Sequence, residues 1–455
     1  MRGLPWKATM RVKSIGSMSS PVRKIAYAMG DHSINISLSA LSLVYFTFLV
    51  TVAGLDPWLA GVIAWIARLV DAITDPLMGQ VSDRTRWKWG RRRPFFLIGM
   101  LPLGLFFSLI WSTPFTSQIG MFFWYLSVYM GLSLSMTLLS VPYLALIPEM
   151  FQDYDERTSI NSYRSAAAIT GTMVAAAFFG IAQALGGRSD DFALTGLMIG
   201  AWMILPWPIV YFVSFERRQP QKEPQQRSNL LSSIRELLKN RTYLRLCGLY
   251  IGGRISMDLL GLAVPLYITV WLARPEYVHW TLLSMLATAV IAMPAWFALS
   301  KRFEKHHMFV AGSIWFAGCL ILIATAGPDW SLWRILFVAS FLGIGYAAID
   351  LMPWAMIGEI IDEDTFTQGS RREGLFNSVL TFIRKVAGAT AYLIAGIGLT
   401  LSGFDQNLTE QPPAALWTIR GLASLAPATF VLLGTLAAFR YPLTRAKHAA
   451  MLARK

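Results

Sequence analysis

Ionisable side chains are scarce within the apolar stretches of this chain, and the few present fall into spaced groups. The segment ARLVDAITDP carries Arg68, Asp71 and Asp75, whose spacings of three, four and seven set them on one face of a helix. Two carboxylates one turn apart offer hard oxygen ligands for a sodium ion at Asp71 and Asp75. Their mutual repulsion equally favours one carboxyl holding a proton. A structural ion pair between helices is the plain alternative. In YAMGDHSINI, Asp31 and Asn35 are again one turn apart, beside His32. A carboxylate and an amide so placed accept from and donate to several hydroxyls of a polyol, or else serve as a packing cluster. Arg254 and Asp258 stand at i and i+4, where they either neutralise one another or touch a bound solute. Asp350 and Lys385 have no partner within their own helical stretches, so each pairs across the bundle or meets that solute.

Helices in lipid must position these groups. Of 455 residues, 55% are apolar and 15% charged, whereas a soluble domain is about 25% charged. That leaves too little polar surface for a water-soluble globule, so the chain reads as an all-α integral membrane protein. Breaking it at charged or Pro/Gly-rich punctuation gives twelve apolar runs: 26–52, 57–81, 95–113, 119–148, 160–186, 193–215, 244–272, 277–300, 308–326, 331–358, 375–401 and 415–439. Each approaches the roughly 20 residues that a span needs. An ionisable group at such depth costs at least about 2.5 kcal/mol, so those retained face the bundle interior.

The net charge of +14 would suit a nucleic-acid partner, but its distribution argues against one. Loops on the side of both termini hold 32 Lys and Arg, while the opposite loops hold only Arg188 and Arg274. The positive-inside bias therefore predicts cytoplasmic termini in a multi-pass protein of the cell's inner membrane. The first run follows a basic stretch and is too long for a cleaved signal, so it reads as a retained span. Cys247 and Cys319 lie inside apolar runs, and the five histidines show no zinc spacing. No nucleophilic or metal constellation is visible, so neither an enzyme nor a cofactor is expected.

The connection 216–240 opens Pro/Gln-rich and closes as NLLSSIRELLKN, a short amphipathic surface helix by its pattern. It divides the chain into a six-helix bundle at 1–215, a cytoplasmic loop at 216–243, a second six-helix bundle at 244–440 and a tail at 441–455. The fourth run of each half ends alike, in SVPYLALIPE up to Glu149 and in DLMPWAMIGE up to Glu359. Such a parallel six-plus-six duplication is the layout of the major-facilitator fold, with solute bound near mid-membrane between the halves. The loop SDRTRWKWGRRRP, with Asp83, Arg84, Arg91 and Arg92, is placed to latch a gate against acidic groups. Candidate partners are Glu149 with Arg157 in the same half, and Glu359 with Arg372 in the other.

Asp71-Ala-Ile-Thr-Asp75-Pro76-Leu-Met-Gly79, Asp83-Arg84-Thr85 and Trp89-Gly90-Arg91-Arg92-Arg93-Pro94-Phe95 together resemble the signature of the glycoside-pentoside-hexuronide:cation symporters, which include the melibiose permeases. Further blocks extend the likeness over nearly the whole chain: Tyr27 to Asp31 with Asn35, Asp153 to Thr158 with Tyr163 and Arg164, and Arg371 to Gly374 with Lys385. The resemblance implies a cation site at Asp71 and Asp75, with Thr137 and Ser140 beside it and Lys385 nearby. It implies solute contacts at Asn35 and Arg164, to which Asp31, Arg68, Arg254, Asp258, Asp350 and Trp354 are added as candidates. Melibiose permeases carry Asp where this chain has Asn35 and Ser140, and aromatics where it has Leu144 and Asp350. The GRRRPF ending is also similar to plant sucrose carriers, and DAITDP to vertebrate sodium-dependent lysophospholipid carriers.

The expectation is a monomeric symporter, coupled to H+ or Na+, that imports a sugar, glycoside, oligosaccharide or uronide through alternating access of the two halves. The alternative keeps the fold and carries a lysolipid or other non-sugar solute. A non-transporting membrane sensor is the third reading.

Overall fold

The computed structural model describes residues 20–151, 154–216, 237, 239–368, 373–405, 408, 410–439 and 441–452. Every apolar run becomes a helix or a pair of helices. In the first half these are α1 (Pro21–Leu43, continued as Tyr45–Val52), α2 (Pro57–Arg84), α3 (Pro94–Leu109), α4 (Gln118–Met150), α5 (Tyr154–Leu185) and α6 (Ser189–Val213). In the second they are α7 (Arg241–Trp271), α8 (Val278–Ser300), α9 (Lys305–Ala324), α10 (Leu332–Gln368), α11 (Glu373–Leu401) and α12 (Pro413–Ala438). Ten helices among the described residues are long and apolar enough to cross a membrane, and the bent α1 makes eleven. The remaining run, 95–113, gives α3, which is apolar but only 16 residues long. At 1.5 Å per residue it covers about 24 Å of a hydrocarbon core of about 30 Å.

The two halves repeat a detail that hydropathy does not reveal. α1 bends by 49° near Val44 and ends in a π-helical turn, Phe48–Val52, and α7, the first helix of the other half, ends in one at Tyr267–Trp271. Beyond the twelfth run, Arg445–Leu452 forms a further short helix, α13, where only a tail was expected. It is tied down by the Arg445 guanidinium on the carbonyls of Ser300 and Lys301 and by His448 on Asp362 at 3.2 Å. The amphipathic helix expected at the end of the central loop lies almost wholly outside the described residues.

α1 packs mainly on α5, α3 on α4 and α6, α7 on α12 and α11, and α10 on α8 and α9. The two sets of six meet through α2 with α11, α5 with α8 and α1 with α7. Helices α2 and α11 approach closely because glycines face backbone: a Cβ on Gly61 would lie 2.8 Å from the Tyr392 carbonyl oxygen. Gly396 abuts the Pro57 carbonyl in the same way, and the Trp58 amide donates to Thr400 Oγ1 at 3.1 Å. Without a hydrophobic drive between helices in lipid, such small-residue contacts carry the association. They lie at the ends of α2 and α11 remote from the basic loops. Gly180 against His279 joins α5 to α8 at that same far end.

Candidate functional site

In mid-bundle the two halves are joined by charge. Lys385 on α11 places Nζ 2.7 Å from Asp71 Oδ2 and 2.5 Å from Asp75 Oδ2 on α2. The same ammonium donates to the Asp71 carbonyl at 3.2 Å. α4 closes the opposite side: Thr137 Oγ1 donates to Asp75 Oδ1 at 2.7 Å and stands 3.2 Å from Asp71 Oδ1. Ser133 Oγ donates to Asp71 Oδ1 at 3.1 Å. Lys385 thus sits on the Oδ2 atoms of both aspartates, while the hydroxyls of Thr137 and Ser133 hold the Oδ1 atoms from the other side. The two carboxylates and one ammonium sum to one negative charge. Pro76, lacking an N–H, also leaves the Ala72 carbonyl without its helical donor beside this group.

Two residues expected here stand apart. Arg68 donates to Ser42 Oγ at 3.2 Å and makes no ion pair with either aspartate among the described residues; its Nε is buried without a partner. Ser140 makes no hydrogen bond to Asp71 or Asp75. Ser133, in contrast, was not anticipated. Ser133, Thr137 and Ser140 recur at four and three, so the polar stripe on α4 was visible in the sequence, though not which members face α2.

A second cluster lies wholly within the first half. Arg164 of α5 donates from Nε to Asp31 Oδ2 at 2.6 Å and from Nη2 to Asp31 Oδ1 at 3.0 Å, a bidentate fork. Tyr143 of α4 adds its hydroxyl to Asp31 Oδ2 at 2.7 Å. Tyr27 and Tyr143 stack at 4.5 Å with 16° between planes, and Tyr27 donates its hydroxyl to the Tyr143 carbonyl at 2.6 Å. Gly30 is what lets the ring in, since a Cβ there would meet Tyr143 Cε2 at 2.8 Å. Asn35 turns its amide back to the Asp31 carbonyl at 2.8 Å. His32 bridges helices, with Nδ1 2.9 Å from Thr170 Oγ1 and Nε2 accepting from Trp202 at 3.0 Å.

A third cluster belongs to the second half. Arg254 grips Asp258 through two hydrogen bonds one turn along α7, and its Nη1 lies 3.8 Å from Asp350 Oδ1 on α10. The Asp350 side chain and Trp354 are each 36% exposed, and Trp354 meets Tyr250 edge-on at 5.9 Å. Leu144, two turns from Thr137 on the same face of α4, is 48% exposed.

The basic-loop residues form a compact knot. Glu149 Oε1 accepts from Arg91 at 2.5 Å and Arg92 at 2.6 Å, and Arg92 reaches Asp83 at 2.6 Å. Glu216, which the sequence reading passed over, accepts from the backbone amides of Arg91, Arg92 and Arg93 at 2.7, 2.7 and 3.0 Å. A carboxylate at these amides complements the positive start of α3. In the other half Lys305 pairs with Glu359 at 2.8 Å. Each of these pairs stays within its own half. Arg84 is exposed; the Arg157 side chain and Arg372 lie outside the described residues.

Residues 26–445 match the MFS/sugar transport protein family, and the chain belongs to it. It is therefore a multi-pass membrane transporter with the major-facilitator fold, and not an enzyme. It is 29% identical to an uncharacterised symporter of Synechocystis sp., covering 93% of this chain and 94% of that one. It is 25% identical to the sodium-dependent lysophosphatidylcholine symporter 1-A of Danio rerio, over 92% and 85%, and 27% identical to the glucuronide carrier protein homolog of Escherichia coli, over 93% of each. Among solved structures, a xylose transporter from E. coli in an inward open conformation superposes with a TM-score of 0.66 at 14% identity, covering 95% of this chain and 98% of that one.

Proposed function

We propose that the protein is a cation-coupled symporter, driven by H+ or Na+, that imports a sugar, glycoside, oligosaccharide or uronide by alternating access. The observation that carries this reading is Lys385 of one half bridging Asp71 and Asp75 of the other. A coupling cation, whether proton or sodium ion, competes with the ammonium for the same carboxylates. Its arrival frees Lys385 and loosens the only salt bridge between the halves among the described residues. Cation and solute then favour the same rearranged state, and each strengthens the binding of the other. The positive-inside bias turns the basic face to the cytoplasm, so halves that touch at the far face and expose Leu144, Asp350 and Trp354 between them correspond to an inward-facing state. Asn35, Arg164, Asp350 and Trp354 are the proposed solute contacts.

Proteoliposomes given a labelled sugar and an imposed cation gradient test the reading. The wild type accumulates the sugar, and Asp71→Asn or Asp75→Asn equilibrates it without accumulation, a loss on the order of 100-fold. Full accumulation by both variants overturns the cation role. Uptake at fixed pH that requires sodium identifies Na+; uptake without sodium that alkalinises the medium identifies H+. A lysolipid is the second reading, supported by the exposed Leu144 where a sugar would be served by an aromatic ring and by the name of the Danio rerio relative. The same vesicles with a labelled lysolipid decide between them.

A further inference from the structure

The residue next to Lys385 has no assigned work. Arg384 is one helical step away on α11, so it points not at α2 but towards α7. Gly388, one turn further along, marks that direction: a Cβ there would lie 2.7 Å from Asp258 Oδ2. Arg384 is exposed, and the face of α11 that it shares with Gly388 is turned to Asp258 of α7, so its guanidinium opens towards the interior of the bundle and not on lipid. Among the described residues it makes no hydrogen bond and no ion pair. Its strongest electrostatic neighbour is Arg254, a like charge, followed by Tyr250 and Asp350. The Asp258 carboxylate is gripped on both oxygens by the Arg254 fork and makes no ion pair with Arg384. Beside them Tyr250, 2% exposed, has a buried hydroxyl without a hydrogen-bond partner. A guanidinium open to the interior of the bundle, with no carboxylate of its own, repelled by its neighbour and flanked by an unused hydroxyl, is left free to take an anionic partner.

Charge balance indicates what that is. Around the middle of the bundle stand five cations, Arg68, Arg164, Arg254, Arg384 and Lys385, and five carboxylates, Asp31, Asp71, Asp75, Asp258 and Asp350. The set is neutral while Lys385 occupies the aspartate pair. A coupling cation adds one positive charge and releases the ammonium adjacent to Arg384, so the loaded transporter regains neutrality by taking up one anionic group.

We propose that Arg384 is a specificity-determining residue that receives an oxyanion of the substrate, a carboxylate or a phosphate, with Tyr250 as a second donor. This rests on the symport reading above and narrows it to organic anions. A neutral glycoside lacks the group that Arg384 requires. Arginine suits the task through its planar fork of donors and its permanent charge.

The test is direct binding to purified full-length protein at saturating sodium and, separately, at acidic pH, using two matched pairs of probes. Methyl glucuronide and methyl glucoside differ in a carboxylate; lysophosphatidic acid and monoacylglycerol differ in a phosphate. The wild type should bind the anionic member of one pair at least about tenfold more tightly, a difference of about 1.4 kcal/mol, and the pair that shows this names the oxyanion. Arg384→Gln should abolish the preference, Arg384→Lys should restore part of it, and cation-induced thermal stabilisation should persist in both. A wild type that binds no anionic probe, or prefers the neutral members, overturns the proposal, as does an unchanged ratio in Arg384→Gln. Should Arg384→Gln not fold, the wild-type ratio and the Arg384→Lys variant still decide. Gradient-driven uptake of the same probes is scored separately: selective binding without accumulation breaks the symport reading and leaves the anion subsite standing.

Discussion

Asp31 with Arg164 and Asp71 with Asp75 and Lys385 are built from the same chemistry, carboxylate oxygens held by a cation and by hydroxyls, yet they differ in what they join. Asp31, Arg164 and Tyr143 come from helices of one half and are braced by the stacked Tyr27. Lys385 comes from the other half, on a side chain whose four-carbon stem can swing away. A pair inside one rigid body has no alternative state to report, so its free energy goes into holding that body together. On the proposed cycle, a pair across the two halves is broken and remade, and its free energy enters the balance between conformations. The basic-face knot of Asp83, Arg91, Arg92 and Glu149 belongs with the first kind. It braces the start of α3, and its ion pairs join no residue of the other half.

Substitutions should separate the two kinds, the largest effect falling on the internal pair. Asp31→Asn leaves the Arg164 charge without its counter-ion and should cost about 3 to 5 kcal/mol of stability, seen as a much lower melting temperature in detergent whatever the cation concentration. A melting point like that of the wild type, with lost coupling instead, would move Asp31 into the coupling machinery. Lys385→Ala removes the competitor for the aspartate pair. It should tighten apparent cation affinity about tenfold, or about 1.4 kcal/mol, measured by cation-dependent thermal stabilisation. Unchanged affinity would mean that Lys385 does not contend for the cation position. Smallest is the contribution of the neutral ligands. Thr137→Val should weaken cation affinity by about 1 kcal/mol, the usual worth of one hydrogen-bonding group, and Ser133→Ala by somewhat less, because Ser133 touches only Asp71. Equal losses in the two variants would imply that the cation sits nearer Asp71 than midway.

Much of this site was legible in advance because membrane burial penalises charge so heavily. Asp71, Asp75, Lys385, Arg254 and Asp258 stood out as ionisable residues in apolar runs, helical spacing grouped those within one helix, and the family resemblance pointed to Arg164. Long-range partners were not legible. Lys385 and Asp75 are 310 residues apart, and no periodicity relates α11 to α2. Arg384 was overlooked because one step of 100° on a helix separates a residue facing α2 from one facing α7, and a run of letters does not show where a neighbour lies. Glu216 went unnoticed because it ends an apolar run as an ordinary loop acid, and its role depends on three amides more than 120 residues earlier. The count of twelve runs survives, with one of them too short to cross by length alone.

Composition, run length and charge asymmetry by themselves determined an all-helical membrane protein of two like halves and the residues too costly to bury without purpose. Those properties follow from the transfer free energy of each side chain into lipid, which is local and additive along the chain. Tertiary structure alone decided which charge meets which: that Lys385 lies between two aspartates, that Asp31 is held by Arg164, and that Arg384 is left open to the interior of the bundle. Coulombic and hydrogen-bond energies depend on distances of a few ångströms, and such distances exist only once the helices have packed.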